Sequence, residues 1–397
     1  MCIITPVMSW RSLLYEAVYF MDMGVLDMMR RKIHWLASLG LFGALLSPAF
    51  AANHGLKTGT PEIKSAGALA FGPDGVLFVA DPKSATVFAI DTEDSKTPGR
   101  EVAPVNVENI DQKIAAALGT KADNVMINDM AVNPATGNVF LSVSRGRGPQ
   151  AMPAVLRVGA DGRISDVALQ DVRFSQVKIP NAPEDKVVGE GRRRSNPRQE
   201  SITDLAFLDG RVIIAGLSNE EFASNLRAVY FPFAEADSGT SVEIFHGAHG
   251  KFETRSPVRT FVPFSIDGKP HLLAAYTCTP LVKFPLSDLK AGQKVRGETV
   301  AELGNRNRPL DMFVYEQSGE TYVLMANSAR GVMKIKTAGV DDIDAIEERI
   351  NGTAGLSYET IEDWKGIVQL DRLGESHAVV IQETEDGKKH LKSMELP

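Results

Sequence analysis

Residues 68–91 read ALAFGPDGVLFVADPKSATVFAID. An apolar run reaches a Pro-Asp-Gly turn, a second apolar run follows, and a short polar turn leads into a third, alternating run. Proline presets the turn φ and glycine accepts the left-handed conformation, so two strands folding back on each other are the natural outcome. The pattern returns at Asp129 (DMAVNPATGNVFLSVSRGRG, then AVLRVGADG) and at Asp204 (DLAFLDGRVIIAGLSNEE, then LRAVYFPF). It returns again at Thr260 (TFVPFSIDGKPHLLAAYTCTP, then LVKFP) and at Asp311 (DMFVYEQSGETYVLMANSARG, then VMKIK). A weaker copy starts at Gly366 (GIVQLDRLGESHAVVIQETEDG, then KHLKSM).

The equivalent positions 68, 129, 204, 260, 311 and 366 are 61, 75, 56, 51 and 55 residues apart. A four-stranded propeller blade takes roughly 40–50 residues, which leaves the surplus to insertions between blades. The sequence therefore predicts an all-β fold, a single β-propeller of six blades, with seven left open should a degenerate copy lie in an insertion. Short helices are expected at 109–118 and 341–350 and a long polar loop at 171–199. A strand within 55–63 is expected to complete the last blade and close the ring.

Composition agrees with one large globular domain. The 397 residues are 44% apolar and 23% charged, with 34 Gly and 21 Pro, too apolar for a disordered chain and without heptads or a collagen period. A net charge of −7 provides no basic field for nucleic acid. Residues 29–51, MRRKIHWLASLGLFGALLSPAFA, have a basic start, a short apolar stretch and a small-x-small end, the layout of a cleaved secretory leader. Residues 1–28 then fit an upstream extension from a misplaced start, and residues 52–397 a single propeller domain. The expected product is periplasmic or secreted, processed near Ala51–Ala52, monomeric, and without a membrane span after cleavage. Removal through Ala51 takes four Lys/Arg and three Asp/Glu, so the charge becomes −8, and Cys278 is the one cysteine left.

In such a fold the entry to each inner strand and the turn between second and third strands share one face. That places Asn128, Asp129, Asp204, Arg308 and Asp311 with Arg145, Cys278 and Arg330 around one channel mouth. Asp129, Asp204 and Asp311 could offer oxygens to Ca2+, or each could hold a neighbouring backbone amide. The loop FHGAHGKFETRSP brings His246, His249 and Glu253 within eight residues, a donor set suited to Zn2+ or Cu2+. The arginines suit carboxylate or phosphate, or pair with the aspartates. Arg192, Arg193, Arg194 and Arg198 form a basic run in the polar loop before the third repeat. No Cys-x-x-Cys-His is present, which excludes covalent c-type haem, and no phosphate loop or Gly-x-Ser-x-Gly elbow occurs in the required context.

The strand–Pro-Asp-Gly–strand–turn–strand rhythm resembles the blades of NHL and SMP-30 type propellers over nearly all of residues 60–397. The SMP-30 resemblance implies a metal-dependent hydrolase or lactonase, with one divalent ion on Glu, Asn and Asp at the channel mouth. Asn128 and Asp204 stand at matching kinds of position, but the first repeat has Gly67-Ala68 where that pattern has glutamate. The expectation placed first is a propeller that binds a small ligand or a protein partner on its loop-rich face. The lactonase-like hydrolase comes second, and a redox or quinone-linked propeller third.

Overall fold

The computed structural model describes residues 54–95, 102–191, 194–278 and 280–397. The expected leader and upstream extension (residues 1–51) lie outside them, as do Arg192 and Arg193. Six antiparallel-built sheets radiate around one axis, so the all-β, six-bladed expectation holds and no seventh blade lies among the described residues. The inner strands are Leu69–Phe71, Val125–Val132, Asp204–Leu208, Thr260–Ile266, Pro309–Gln317 and Ile367–Leu373, and they define blades one to six in chain order.

The ring does not follow that order. Inner strands touch in the sequence two, one, three, four, five, six and back to two, so blade three lies against blade one. The apolar seams agree. Phe78, Val87 and Val177 of blade one pack on Leu205, Ile214 and Val229 of blade three. Val139 and Leu141 of blade two pack on Leu373 and Val379 of blade six. Blades one and two meet through Leu77, Phe88, Phe140 and Val155. Every blade boundary has such an apolar seam, and their burial supplies the main driving force for closure.

Strand exchange explains the order. Between blades one and two the chain crosses to blade six and adds Asn106–Val107 as its fourth strand, with Val107 opposite Leu391. After blade two it returns to blade one and adds Val172–Lys178 beside Thr86–Asp91. Two expectations are corrected here. Residues 55–63 do not complete the last blade; Lys57–Gly59 pairs antiparallel with Val172, Arg173 and Phe174 on blade one. The segment 171–199 is not all loop, because Phe174 and Val177 alternate toward the two neighbouring seams and make its start a strand.

The helix expected at 109–118 is present as Ile110–Ala117, with Ile110 and Ile114 one turn apart on its buried side. The helix expected at 341–350 is absent. That stretch carries Asp341, Asp342, Asp344, Glu347 and Glu348, and its amides at Ile346 and Ile350 bond instead to Thr299 O on strand Glu298–Leu303 and Gly247 O in the turn after Thr240–His246. No helix among the described residues is long and apolar enough to cross a membrane.

Candidate functional site

Three of the inner strands are bulged near the channel: between Ile127 and Asp129, between Pro309 and Asp311, and between Ile367 and Gln369. A bulge re-aims the side chains beside it. Each channel aspartate reaches the backbone of the next blade. The Leu69 amide donates to Asp129 Oδ2 at 2.7 Å, Phe261 to Asp204 at 2.8 Å, Leu370 to Asp311 at 3.1 Å and Val132 to Asp371 at 2.6 Å. The second oxygen of Asp204, Asp311 and Asp371 takes the amide of the following residue. Asp371 is a member that the weak sixth repeat had hidden. The carboxylates thus act as clamps between blades around a cavity of about 230 Å³.

The four side chains are partly buried along the channel wall, and burial dominates their protonation. It raises Asp204 to about 7 and Asp371 to about 6. Asp129 and Asp311 go well above the usual carboxylate range, through burial first and then repulsion from the other channel aspartates.

A larger cleft, about 610 Å³, opens on the loop-rich face where blades one and two begin. Its walls include Ser65, Lys83, Asn128, Ser144, Arg147 and Gln199, with Met126, Pro82 and Pro153 supplying apolar surface. The Asn128 amide nitrogen bridges Ala66 O (2.8 Å) and Ser144 Oγ (2.9 Å), which joins the two blades under the cleft. Asp81, fully buried, accepts Lys64 N and Ser84 Oγ and holds the wall from behind. Gly146 and Gly148 adopt φ of 98° and 66°, conformations that a side chain resists, and turn Arg147 toward the cleft. Arg147 gives its Nε to Asp123 O at 2.8 Å. Its two terminal nitrogens have no partner among the described residues.

The other expected residues spread over the same face. Arg145 is partly buried opposite Val125 and Met152. Cys278 sits in a left-handed turn (φ 63°) and donates its amide to Asn307 O, joining blades four and five. Arg308 lies near Arg259 and Glu200, and its affinity for a proton is lowered by burial and by Arg259. Arg259 and Glu200 form a 2.6 Å ion pair that sequence reasoning missed. Arg330 folds back onto Asn305 O and packs on Gly304. Arg198 braces the loop through Pro183 O and Lys83 O.

His246, His249 and Glu253 come together, but not with the aspartates. They stand at the end of the outer strand Thr240–His246 of blade three, on the rim and not at the mouth. The His246 and His249 Nδ1 atoms face the two Glu253 oxygens at 3.1 and 2.7 Å. Ser256 and the histidines hold the Glu253 carboxyl at about 2 against the opposing effect of burial.

No protein-family model matches the chain, and no curated protein matches it. Among solved structures, it is similar to a PQQ-bound aldose sugar dehydrogenase from Streptomyces coelicolor, with 12% identity over 85% of this chain and 96% of that one and a TM-score of 0.33. It is also similar to a putative oxidoreductase (glucose dehydrogenase) from Thermus thermophilus, with 13% identity over 86% and 100% and a TM-score of 0.34.

Proposed function

We propose that the protein is an exported propeller that binds a small polar organic molecule carrying a carboxylate or phosphate in the cleft between blades one and two. The observation that carries this reading is the cleft itself. Its volume of about 610 Å³ falls within the range of roughly 300–1,000 Å³ typical of ligand pockets. Arg147 offers two unpaired guanidinium nitrogens at its edge, and a guanidinium fork matches an oxyanion bidentately. Ser65, Ser144 and Gln199 add hydroxyl and amide groups that fix orientation, while Met126 and the prolines contact apolar parts. A leader-like segment at residues 29–51 supports export.

The hydrolase alternative gains no support from its residues. The Asp204 oxygens hold the Phe261 and Leu205 amides, the Asn128 amide holds Ala66 and Ser144, and residue 67 is glycine. The test is a thermal-shift screen of organic acids and phosphorylated sugars, followed by calorimetry on any hit. Binding is expected to weaken by roughly tenfold to a hundredfold in Arg147→Ala, the cost of a lost charged hydrogen bond. A hit whose affinity is unchanged in both Arg147→Ala and Asn128→Ala overturns the assignment to this cleft.

A further inference from the structure

We infer that His246, His249 and Glu253 form a binding site for one borderline divalent transition-metal ion, Zn2+ or Cu2+, on the rim between blades three and four. The local chain path builds it. Strand Thr240–His246 ends in a tight turn, with the amides of His249 and Gly250 returning to His246 O. The turn lays the two imidazoles together, centroids 3.9 Å apart. The hairpin then brings Lys251–Glu253 back along the strand, with Glu253 opposite Ile244. One donor atom from each of the three side chains lies within 4.8 Å of the other two.

That spacing suits coordination. Zinc bonds of about 2.0–2.1 Å at a tetrahedral centre put neighbouring donors about 3.3 Å apart. The nitrogen–oxygen approaches of 3.1 and 2.7 Å are already close to this, so an ion needs only small side-chain adjustments. Ser256 Oγ donates to Glu253 Oε2 at 2.7 Å and fixes the carboxylate, the kind of outer support that metal ligands usually have.

Hydrogen bonding alone leaves the cluster incomplete. His246 is 3% exposed, and its Nε2 has no partner. A neutral imidazole carries one proton, so either tautomer leaves a ring nitrogen with a free lone pair in a buried place. The surroundings also favour a cation. Glu302, 1% exposed, lies against the same turn and accepts the Gly247 amide at 2.5 Å. A side chain at Gly247 would meet Glu302 at 2.9 Å, so the glycine is what lets this second carboxyl approach. Two carboxyls beside two histidines favour a dication, and His249, about half exposed, leaves a way in from solvent. The imidazole share of the donors favours Zn2+ and Cu2+ over Ca2+ or Mg2+, which prefer oxygen.

The test uses the full chain after chelator treatment and removal of the chelator. Titration with Zn2+ and with Cu2+ is expected to raise the melting temperature and to show one ion per chain by calorimetry. His249→Ala, at an exposed position that leaves the core intact, is expected to weaken binding by at least about tenfold. Glu253→Gln should do the same, and His271→Ala on blade four should leave it unchanged. Circular dichroism of each variant separates loss of binding from loss of fold. No shift with either ion, a shift retained in His249→Ala, or stabilisation by Ca2+ alone overturns the inference.

Discussion

The channel aspartates show how a single side chain can join two blades and at the same time set the pH response of the fold. Each accepts an amide from the next inner strand, so it favours the charged form, but burial opposes ionisation more strongly. A carboxyl at about 7 in the folded chain and near 3.8 in the unfolded one binds more protons when folded throughout that interval. Stability then falls as pH rises from about 4 to 7. Glu253 works in the opposite direction: held at about 2, it adds stability above its ordinary range that is lost as pH drops from about 4.5 to 2. The melting temperature is therefore expected to be higher at pH 5.5 than at pH 8. The difference should shrink in Asp371→Asn, which removes one titrating clamp while keeping an acceptor for the Val132 amide. A wild-type melting temperature that rises from pH 5.5 to 8 would contradict the assignment. Asp129, Asp204 and Asp311 were visible in the sequence because each opens a quoted repeat. Asp371 was not, since it lies inside its strand behind Gln369, and a bulge leaves no residue signature. Nor could spacing within one loop show that the His246 cluster faces Glu302, which lies 56 residues further along the chain at the next blade's outer strand.

At the level of elements, strands with continuous apolar runs were legible and exchanged strands were not. Val76–Asp81 and Leu324–Ala326 are buried on both faces, so composition alone announces them. Asn106–Val107 is two residues long and has no period to detect, yet Val107 is 1% exposed in the seam between blades two and six. Its role comes from where it docks. Replacing Val107 by alanine removes two buried methyl groups from that seam and is expected to cost about 2 kcal/mol. Denaturant titration checks this against Lys57→Ala, in the exposed strand Lys57–Gly59 added to blade one, where the expected loss is below about 0.5 kcal/mol. Equal losses would mean that Asn106–Val107 contributes no more to closure than an edge addition. The same logic explains the missing second helix. Residues 341–350 place five carboxylates within ten positions, and backbone bonds to blades three and four offer their amides a better partner than a crowded helix would.

For the whole molecule, the order two, one, three, four, five, six has a consequence that a sequential ring would lack. Blade one takes its fourth strand from beyond blade two, and blade six takes its own from before blade two. Blades one and six are thus completed by strands that flank blade two in the chain, while blade two is built from its own consecutive strands. In a sequential propeller, a cut between whole blades leaves each piece with complete sheets. Here, a cut at residue 168, between Ile164–Asp166 and Val172–Lys178, strips blade one of its fourth strand on one side and blade six of its fourth strand on the other. Phe174 and Val177 leave the blade-one seams, and Val105 and Val107 leave the blade-six seam. Each fragment then exposes apolar sheet faces and unpaired edges, which oppose independent folding. Expressed separately, residues 52–168 and 169–397 are expected to be unfolded or aggregated. Mixed from denaturant, they should recover the strand-rich circular dichroism of the whole chain in a one-to-one complex. A soluble, cooperatively melting 169–397 fragment would show that blades three to six hold together without Asn106–Val107, and that the interlock plays no part in holding the ring together.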